Sequence, residues 1–220
     1  MKIPAFTKTY GKRMVLNSPE LDLEKGKIYA AIGANGSGKT TFARIAAGVL
    51  SADQLTFVPE TGTVIRYMPQ KSYPFRMSVQ QNILLTKGDP QKAKELMKAL
   101  NLENVQRQKI SSLSGGETAK MAFLRVLMQP CDLLILDEPT AAMDMESAIT
   151  AEKLLQEYRA SCGCTVLLIT HDLFQARRMA DEVLFFHEGE LTEQGKAADI
   201  LYHPEDEKTR RFLDYYGGIG

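Results

Sequence analysis

Neither charge is in excess in this sequence: 27 lysines and arginines face 27 aspartates and glutamates. A chain without bulk positive charge is not a dedicated polyanion binder, because that kind of affinity comes from displaced counterions. Nucleic acid is therefore not expected among its partners. Long apolar runs are also missing. The longest, Leu133–Leu136 and Val166–Ile169, are strand-sized and fall far short of the roughly eighteen residues that cross a bilayer as a helix. The start, Met1 to Phe6, lacks the apolar centre of a signal peptide. The expectation is a chain that stays in the cytosol and does not itself span a membrane. Cysteine is scarce, at three residues. Cys162-Gly163-Cys164 has one intervening residue rather than two and no second pair at zinc spacing, so reduced thiols in a turn before a strand are expected. Internal repeats, low-complexity tracts and long linkers are absent too.

What is present is ordinary in bulk and specific in detail. With 44% hydrophobic and 25% charged residues, the 220-residue chain can bury one sizeable core or two small lobes. The most informative stretch is Gly33-Ala34-Asn35-Gly36-Ser37-Gly38-Lys39-Thr40, a glycine, four free positions, then Gly-Lys-Thr. Its context predicts a short buried strand over 27–32 before it and a helix over 41–50 after it, with Phe42, Ile45, Ala46 and Val49 on one face. Strand, glycine loop and helix aim backbone N–H groups and a helix N-terminus at an anion. Lys39 would reach the outer phosphates of a nucleotide, and the Thr40 hydroxyl would sit on a magnesium ion.

Before that loop, Phe6–Tyr10 and Met14–Leu16 read as strands around Gly11-Lys12-Arg13, and Leu21 and Leu23 mark a further edge strand. Tyr10, on this hairpin, can stack on a base or simply face solvent from a strand. Ser51–Gly62 is polar and turn-rich, and a strand over 63–68 ends at Pro69-Gln70. Residues 71–128 are largely helical by pattern. Pro90 opens a helix whose apolar face is Ala93, Leu96, Met97 and Leu100. This is too long for one crossover helix, so a helical subdomain inserted in an α/β core is expected.

Ser114-Gly115-Gly116-Glu117 is a capping box opening a helix through Met128. An ordinary capped helix would explain the serine and glutamate; the two glycines point to close approach of something to the backbone. Leu133–Leu136 reads as a central parallel strand ending in Asp137 and Glu138, at the edge where open α/β sheets hold ligands. Asp137 suits magnesium and Glu138 suits a general base for water. Ala141–Asp144 leads into a helix over 145–159, and the next strand, over 164–169, ends at His171. A lone histidine there can be a structural hydrogen-bonder or a catalytic contact. A helix over 173–180, a strand over 183–186, a hairpin at 188–190 and two short helices close the chain.

In this order the motifs resemble the nucleotide-binding subunit of the ABC (ATP-binding cassette) transporter family, over roughly residues 5 to 216. Tyr10 matches the aromatic loop, Gly33–Thr40 the phosphate loop, and Gln70 the glutamine loop. Leu113–Glu117 matches the signature, Leu133–Asp137 with Glu138 the magnesium strand and catalytic acid, Ala142-Met143-Asp144 the aspartate loop, and His171 the switch histidine. The resemblance implies a P-loop α/β fold with a mostly parallel sheet, an antiparallel β edge and an inserted helical subdomain. It would be a single domain over 1–220, with a RecA-like core from 1–70 and 129–220 and the helical part at 71–128. Tyr10 would stack on adenine. Gly33, Ala34, Asn35, Gly36, Ser37, Gly38, Lys39, Thr40 and Thr41 would hold phosphates. Thr40, Gln70 and Asp137 would hold Mg2+, and Glu138, His171, Gln70 and Lys39 would serve hydrolysis of ATP. Ser114, Gly115, Gly116 and Asp144 would act across a head-to-tail dimer. Glu117 stands where the family more often has Gln, and Met143 where Leu is common. The spacings from Lys39 to Gln70 and from Gln70 to Ser114 are short, which suggests a trimmed edge sheet and helical lobe, and no regulatory domain is expected after the core.

A separate ATPase chain of this family implies an importer, with permease subunits docking near 71–80, a solute-binding protein acting indirectly, and a place at the cytoplasmic face of the membrane. Tyr73 and Phe75 suit such a dock, although Phe75 also suits core packing. The residues Ser114–Ala119 and Ala141–Glu146 look like those of tungstate- or molybdate-type oxyanion importers; a metal ion, amino acid or other small solute is the alternative cargo. A soluble ABC ATPase of DNA repair or translation is the competing class. Such chains usually carry coiled coils, zinc sites or two cassettes. A non-hydrolysing, ATP-gated module is the third, and Glu138 argues against it.

Overall fold

Two buried strand runs decide the architecture. In the computed structural model, which describes residues 1–54 and 61–217, every residue of Leu133–Asp137 and Thr165–Ile169 is buried. Strands covered on both faces need helices on both sides, and the remaining elements supply them. In chain order these are β1 (Lys2–Ile3), β2 (Phe6–Tyr10), β3 (Arg13–Ser18), β4 (Leu21–Asp22), β5 (Ile28–Ile32) and α1 (Lys39–Ala46). β6 (Ile65–Met68), α2 (Val79–Ile83), α3 (Pro90–Ala99) and α4 (Gly115–Leu127) follow. The chain continues through β7 (Leu133–Asp137), α5 (Met145–Cys162), β8 (Thr165–Ile169), α6 (Leu173–Met179), β9 (Glu182–His187), β10 (Glu190–Lys196), α7 (Ala197–Tyr202) and α8 (Glu207–Tyr216).

The main sheet runs β2-β3-β10-β9-β5-β8-β7-β6. From β9 to β6 all neighbours are parallel, whereas β2 with β3 and β10 with β9 are antiparallel. A single parallel pairing, Glu190 with Asn17, joins the antiparallel hairpin to the rest. Strand pleating sorts the core into layers. Leu133, Ile135, Leu167 and Ile169 pack with Phe42 and Ile45 of α1. Leu134, Leu136, Val166 and Leu168 pack with Phe123 and Leu127 of α4 and Leu155 of α5. Ala30, Ile32, Val183 and Phe185 pack with α6, α7 and α8. The expected mixed α/β fold with its antiparallel edge is what forms.

Several boundaries differ from the sequence reading. Helix α1 stops at Ala46, and Gly48, at φ 68°, turns the chain. Val49 is therefore 65% exposed instead of facing the core. Cys162 ends α5 rather than sitting in a turn, because Gly163 at φ 66° supplies the left-handed cap. All three cysteines are free thiols. Strand β6 begins at Ile65, not Thr63. Leu21 does pair as a strand, with β1 in a separate two-stranded sheet. The turn-rich reading of 51–62 includes residues 55–60, which lie outside the described residues.

Candidate nucleotide site

The C-terminal ends of β5, β7 and β8 meet the loop of residues 33–38. Two glycines there are required by geometry. Gly33 stands at φ 141°, and any Cβ would collide with the carbonyl oxygen of Phe186. Gly38 stands at φ 104° as the N-cap of α1, where a Cβ would lie 3.2 Å from the Val15 carbonyl oxygen. Helix α1 consequently begins without a side-chain cap and without an acidic residue in its first turn. Its N-terminal partial positive charge is left for a ligand.

Lys39 is buried, and its Nζ donates to the Gly33 carbonyl at 2.8 Å, the Ala34 carbonyl at 2.9 Å and Ser37 Oγ at 3.3 Å. Burial pulls its ammonium pKa down, against the opposing influence of Glu138 and Asp137. Asp137 is fully buried. Thr40 Oγ1 donates to its Oδ1 at 3.2 Å and Tyr67 Oη to its Oδ2 at 3.4 Å. Burial raises the Asp137 carboxyl above its ordinary value, and the Thr40 and Tyr67 hydroxyls oppose that rise.

Glu138 adopts φ 52°, a left-handed conformation uncommon for a residue with a side chain. Its N–H donates to the Ile169 carbonyl at 2.9 Å, which holds the backbone there. Its Oε2 lies 2.8 Å from His171 Nδ1. Strain of this sort persists where surrounding contacts over-determine the position, and it gathers at functional sites. Here it aims the carboxylate across the end of the sheet toward the histidine on the next strand's exit.

These pieces line one cleft of about 530 Å³, which gathers Tyr10, Asn35, Gly36, Gly38, Lys39, Thr40, Thr41, Gln70 and Glu138. Gly33, Ala34 and Ser37 form the inner side of the same loop, with Ala34 and Ser37 opening on a neighbouring depression. His171 borders an adjoining hollow that shares Glu138 with the cleft. Ser114, Gly115, Gly116 and Asp144 are not part of the cleft lining. They form a second group: a Cβ on Gly116 would lie 2.9 Å from the Ala142 carbonyl oxygen, and Lys120 pairs with Asp144 at 3.3 Å. Gly116 is thus needed for contact within the chain, while the position of a Cβ on Gly115 meets open space. Asp144 caps α5 through Ser147 N–H at 2.8 Å, and these hydrogen bonds hold its carboxyl well below the usual range.

Sequence reasoning missed three residues. Arg13 and Val15 line the cleft beside Tyr10, and Tyr67 touches Asp137. The first two had a signal: a hairpin with a two-residue loop sets residue 13 opposite residue 10, and alternate residues share a face.

A model of the ABC transporter family matches residues 16–141. The chain belongs to the ABC transporter family. It is an ATPase subunit of that family, and the cleft is where its geometry suits a nucleotide. A zinc import ATP-binding protein, ZnuC of Yersinia pseudotuberculosis, is 33% identical over 96% of this chain and 83% of its own length. A tungstate uptake system ATP-binding protein, TupC of Peptoclostridium acidaminophilum, is 36% identical over 84% of this chain and 94% of its own length. Among solved structures, the ATP-binding subunit of an ABC transporter superposes with TM-score 0.83 at 19% identity, covering 98% of both chains. An ATP-binding cassette solved as a dimer with ADP and Pi superposes with TM-score 0.78 at 23% identity, covering 89% of this chain and 98% of that one. Both structural likenesses speak for the fold.

Proposed function

We propose that this chain hydrolyses ATP to drive a membrane importer. The observation that carries the reading is the single cleft that gathers Tyr10, the phosphate loop, Gln70 and Glu138, with Asp137 and His171 at its edge. Tyr10, 53% exposed at the rim, stacks on adenine. The N–H groups of 33–41 and the start of α1 take the phosphates, and Lys39 supplies a positive charge beside them. Thr40, Asp137 and Gln70 are all oxygen donors, and one carboxylate, one hydroxyl and one amide fit an ion held chiefly by substrate phosphates, as Mg2+ is. Bound there, Mg2+ would neutralise charge on the phosphates. Glu138 orients a water molecule and takes its proton as its oxygen bonds to the outer phosphorus, while the bond from that phosphorus to the bridging oxygen breaks and ADP leaves with the electron pair. His171, 2.8 Å from Glu138, fixes that carboxylate and contacts the phosphoryl oxygens.

Ser114, Gly115, Gly116 and the Asp144 loop complete the site from a second copy in a head-to-tail dimer. In support, Gly115 is open and the signature packs on the aspartate loop of its own chain, so the two present one joint surface. Residues 71–128, with α2 to α4, act as a helical lobe on a RecA-like core formed by 1–70 and 129–220. Permease subunits dock near 71–80, where Tyr73 and Phe75 are 66% and 56% exposed. The place of action is the cytoplasmic face of the membrane, reached through the permease, with a solute-binding protein acting indirectly. Among the described residues no helix is long and apolar enough to cross a membrane.

The cargo is an inorganic ion. The tungstate uptake relative favours an oxyanion and the zinc import relative favours a metal ion. Reconstitution with permease and solute-binding protein separates the two. Tungstate-stimulated turnover supports the first, and zinc-stimulated turnover the second. Glu138→Gln tests the ATPase mechanism itself: ATP binding persists, an ATP-bound dimer accumulates, and turnover falls by about 10²-fold or more. Turnover at the parental rate would remove Glu138 from its role. Arg76→Glu, in the exposed segment beside Phe75, uncouples transport and leaves basal turnover intact; unchanged transport would refute the docking face.

A further inference from the structure

The chain segments that leave β7 and β8 are tied together at three levels, and two of them belong to the site already described. Closest to the sheet, Glu138 N–H donates to the Ile169 carbonyl at 2.9 Å. Next, Glu138 Oε2 meets His171 Nδ1 at 2.8 Å. Farthest out, Gln175 Nε2 on α6 donates to Thr140 Oγ1 at 2.9 Å. This third link joins the turn after Glu138 to the helix after His171. Gln175 is buried, and the same Nε2 donates to Glu152 Oε1 on α5 at 3.1 Å. Glu152 is itself buried and forked by Arg178, at 2.9 and 2.7 Å. One amide thus fastens the turn after Glu138, the helix after His171 and the helix that Asp144 caps.

The amide is held in one orientation. Its Oε1 is buried without a partner, which is unfavourable, but the reverse orientation would set that oxygen against the Glu152 carboxylate. Glu138 depends on such support, because its left-handed conformation at φ 52° persists only while its surroundings over-determine it. The His171 ring is mostly exposed, so packing does not hold it. Its position follows the backbone, which runs straight into α6, where Asp172 Oδ1 accepts from the N–H groups of Phe174 and Gln175. Misplacing a reacting group by 1 Å can lower a rate by about 10²-fold. The Thr140–Gln175 link can be removed without touching either reacting side chain.

We propose that Gln175 is a positioning residue for hydrolysis: by holding Thr140 it keeps Glu138 in place against His171. This rests on the ATPase reading above. The test is Gln175→Met, which keeps the length and volume of the side chain and removes both donated bonds. Glu152 stays paired with Arg178, and the half-buried Thr140 hydroxyl can turn to water, so no buried charge is left alone. Turnover per folded chain at saturating Mg-ATP falls about tenfold or more, the effect of losing one or two hydrogen bonds. The phosphate loop is untouched, so KM for ATP stays within about twofold of the parent. Thr140→Val breaks the same link from the other side and lowers kcat in the same way, which keeps the test valid should Gln175→Met fail to fold. The double variant is no slower than the slower single variant, since one link is broken in each. Parental kcat in both variants, with only a lower urea midpoint, marks a purely structural network and overturns the proposal. A loss of kcat matched by a rise in KM for ATP overturns it as well. Glu138→Gln, run alongside, separates the two readings. Parental turnover in Glu138→Gln fails the ATPase mechanism itself, whereas turnover lost there but parental in Gln175→Met and Thr140→Val fails only the positioning role.

Discussion

Helix α1 and helix α4 both begin beside glycines, and their first turns are built in opposite ways. Gly38 caps α1 at φ 104° with no side chain to accept from the free N–H groups, and the first turn carries no acid. Ser114 caps α4 with a complete box: its Oγ accepts from Glu117 N–H at 3.2 Å, and Glu117 Oε2 accepts from Ser114 N–H at 2.7 Å. Those bonds from Ser114 hold the Glu117 carboxyl below its ordinary value. One helix end is therefore an open receptor for an anion, while the other has already answered much of its own demand. The lesson is that a helix N-terminus near glycines is not by itself a phosphate site. What separates the two is whether the chain's own side chains fill it.

The comparison can be broken at several points. Lys39→Ala removes the charge that completes the open end; turnover should fall about 10²- to 10³-fold, measured by phosphate release, while the α4 cap is untouched. Gly33→Ala tests the loop's backbone. Its φ of 141° and the Phe186 carbonyl leave no room for a methyl, so stability should drop by at least about 2 kcal/mol in urea unfolding. Ser114→Ala should lower stability by about 1 kcal/mol yet leave the affinity of a single chain for ATP unchanged, as measured by equilibrium dialysis. A loss of nucleotide affinity in that variant would mean that α4 serves the site within one chain.

The smallest effect concerns acid. Hydrogen bonds to Asp144, the cap of α5, hold its carboxyl below its ordinary value. A depressed carboxyl contributes stability above its unfolded pKa, near 4, and that contribution is lost as pH falls further. Asp144→Asn should flatten the acid limb of stability against pH and leave the neutral plateau nearly parallel. An acid limb identical to the parent would show that Asp144 is no better hydrogen-bonded in the folded chain than in the unfolded one.

Much of the site was legible because each motif carries its own local reason. Gly38 must be glycine, Ser114 must meet Glu117, and Asp137 must follow an apolar run. Residues whose role depends on strand register were not legible. Tyr67 reaches Asp137 only because β6 pairs with β7 so that Tyr67 sits beside Ile135. Arg13 was legible only as the hairpin partner of Tyr10; that the pair lines one cleft with the phosphate loop is set by tertiary packing. The end of α1 was misplaced for a related reason: apolar spacing continues to Val49, but Gly48 turns the chain first.

The sequence by itself determined the alternation of strands and helices, the mixed α/β class, and the residue types at the nucleotide cleft. These follow from period, capping and backbone freedom, which act over a few residues. Only the tertiary structure decided which sheet edge gathers Tyr10, Gln70 and Glu138, and that Glu138 is strained toward His171. It also decided that Gly116 serves its own chain while Gly115 stays open. Those facts depend on distances between segments far apart in the chain, which packing and strand register set.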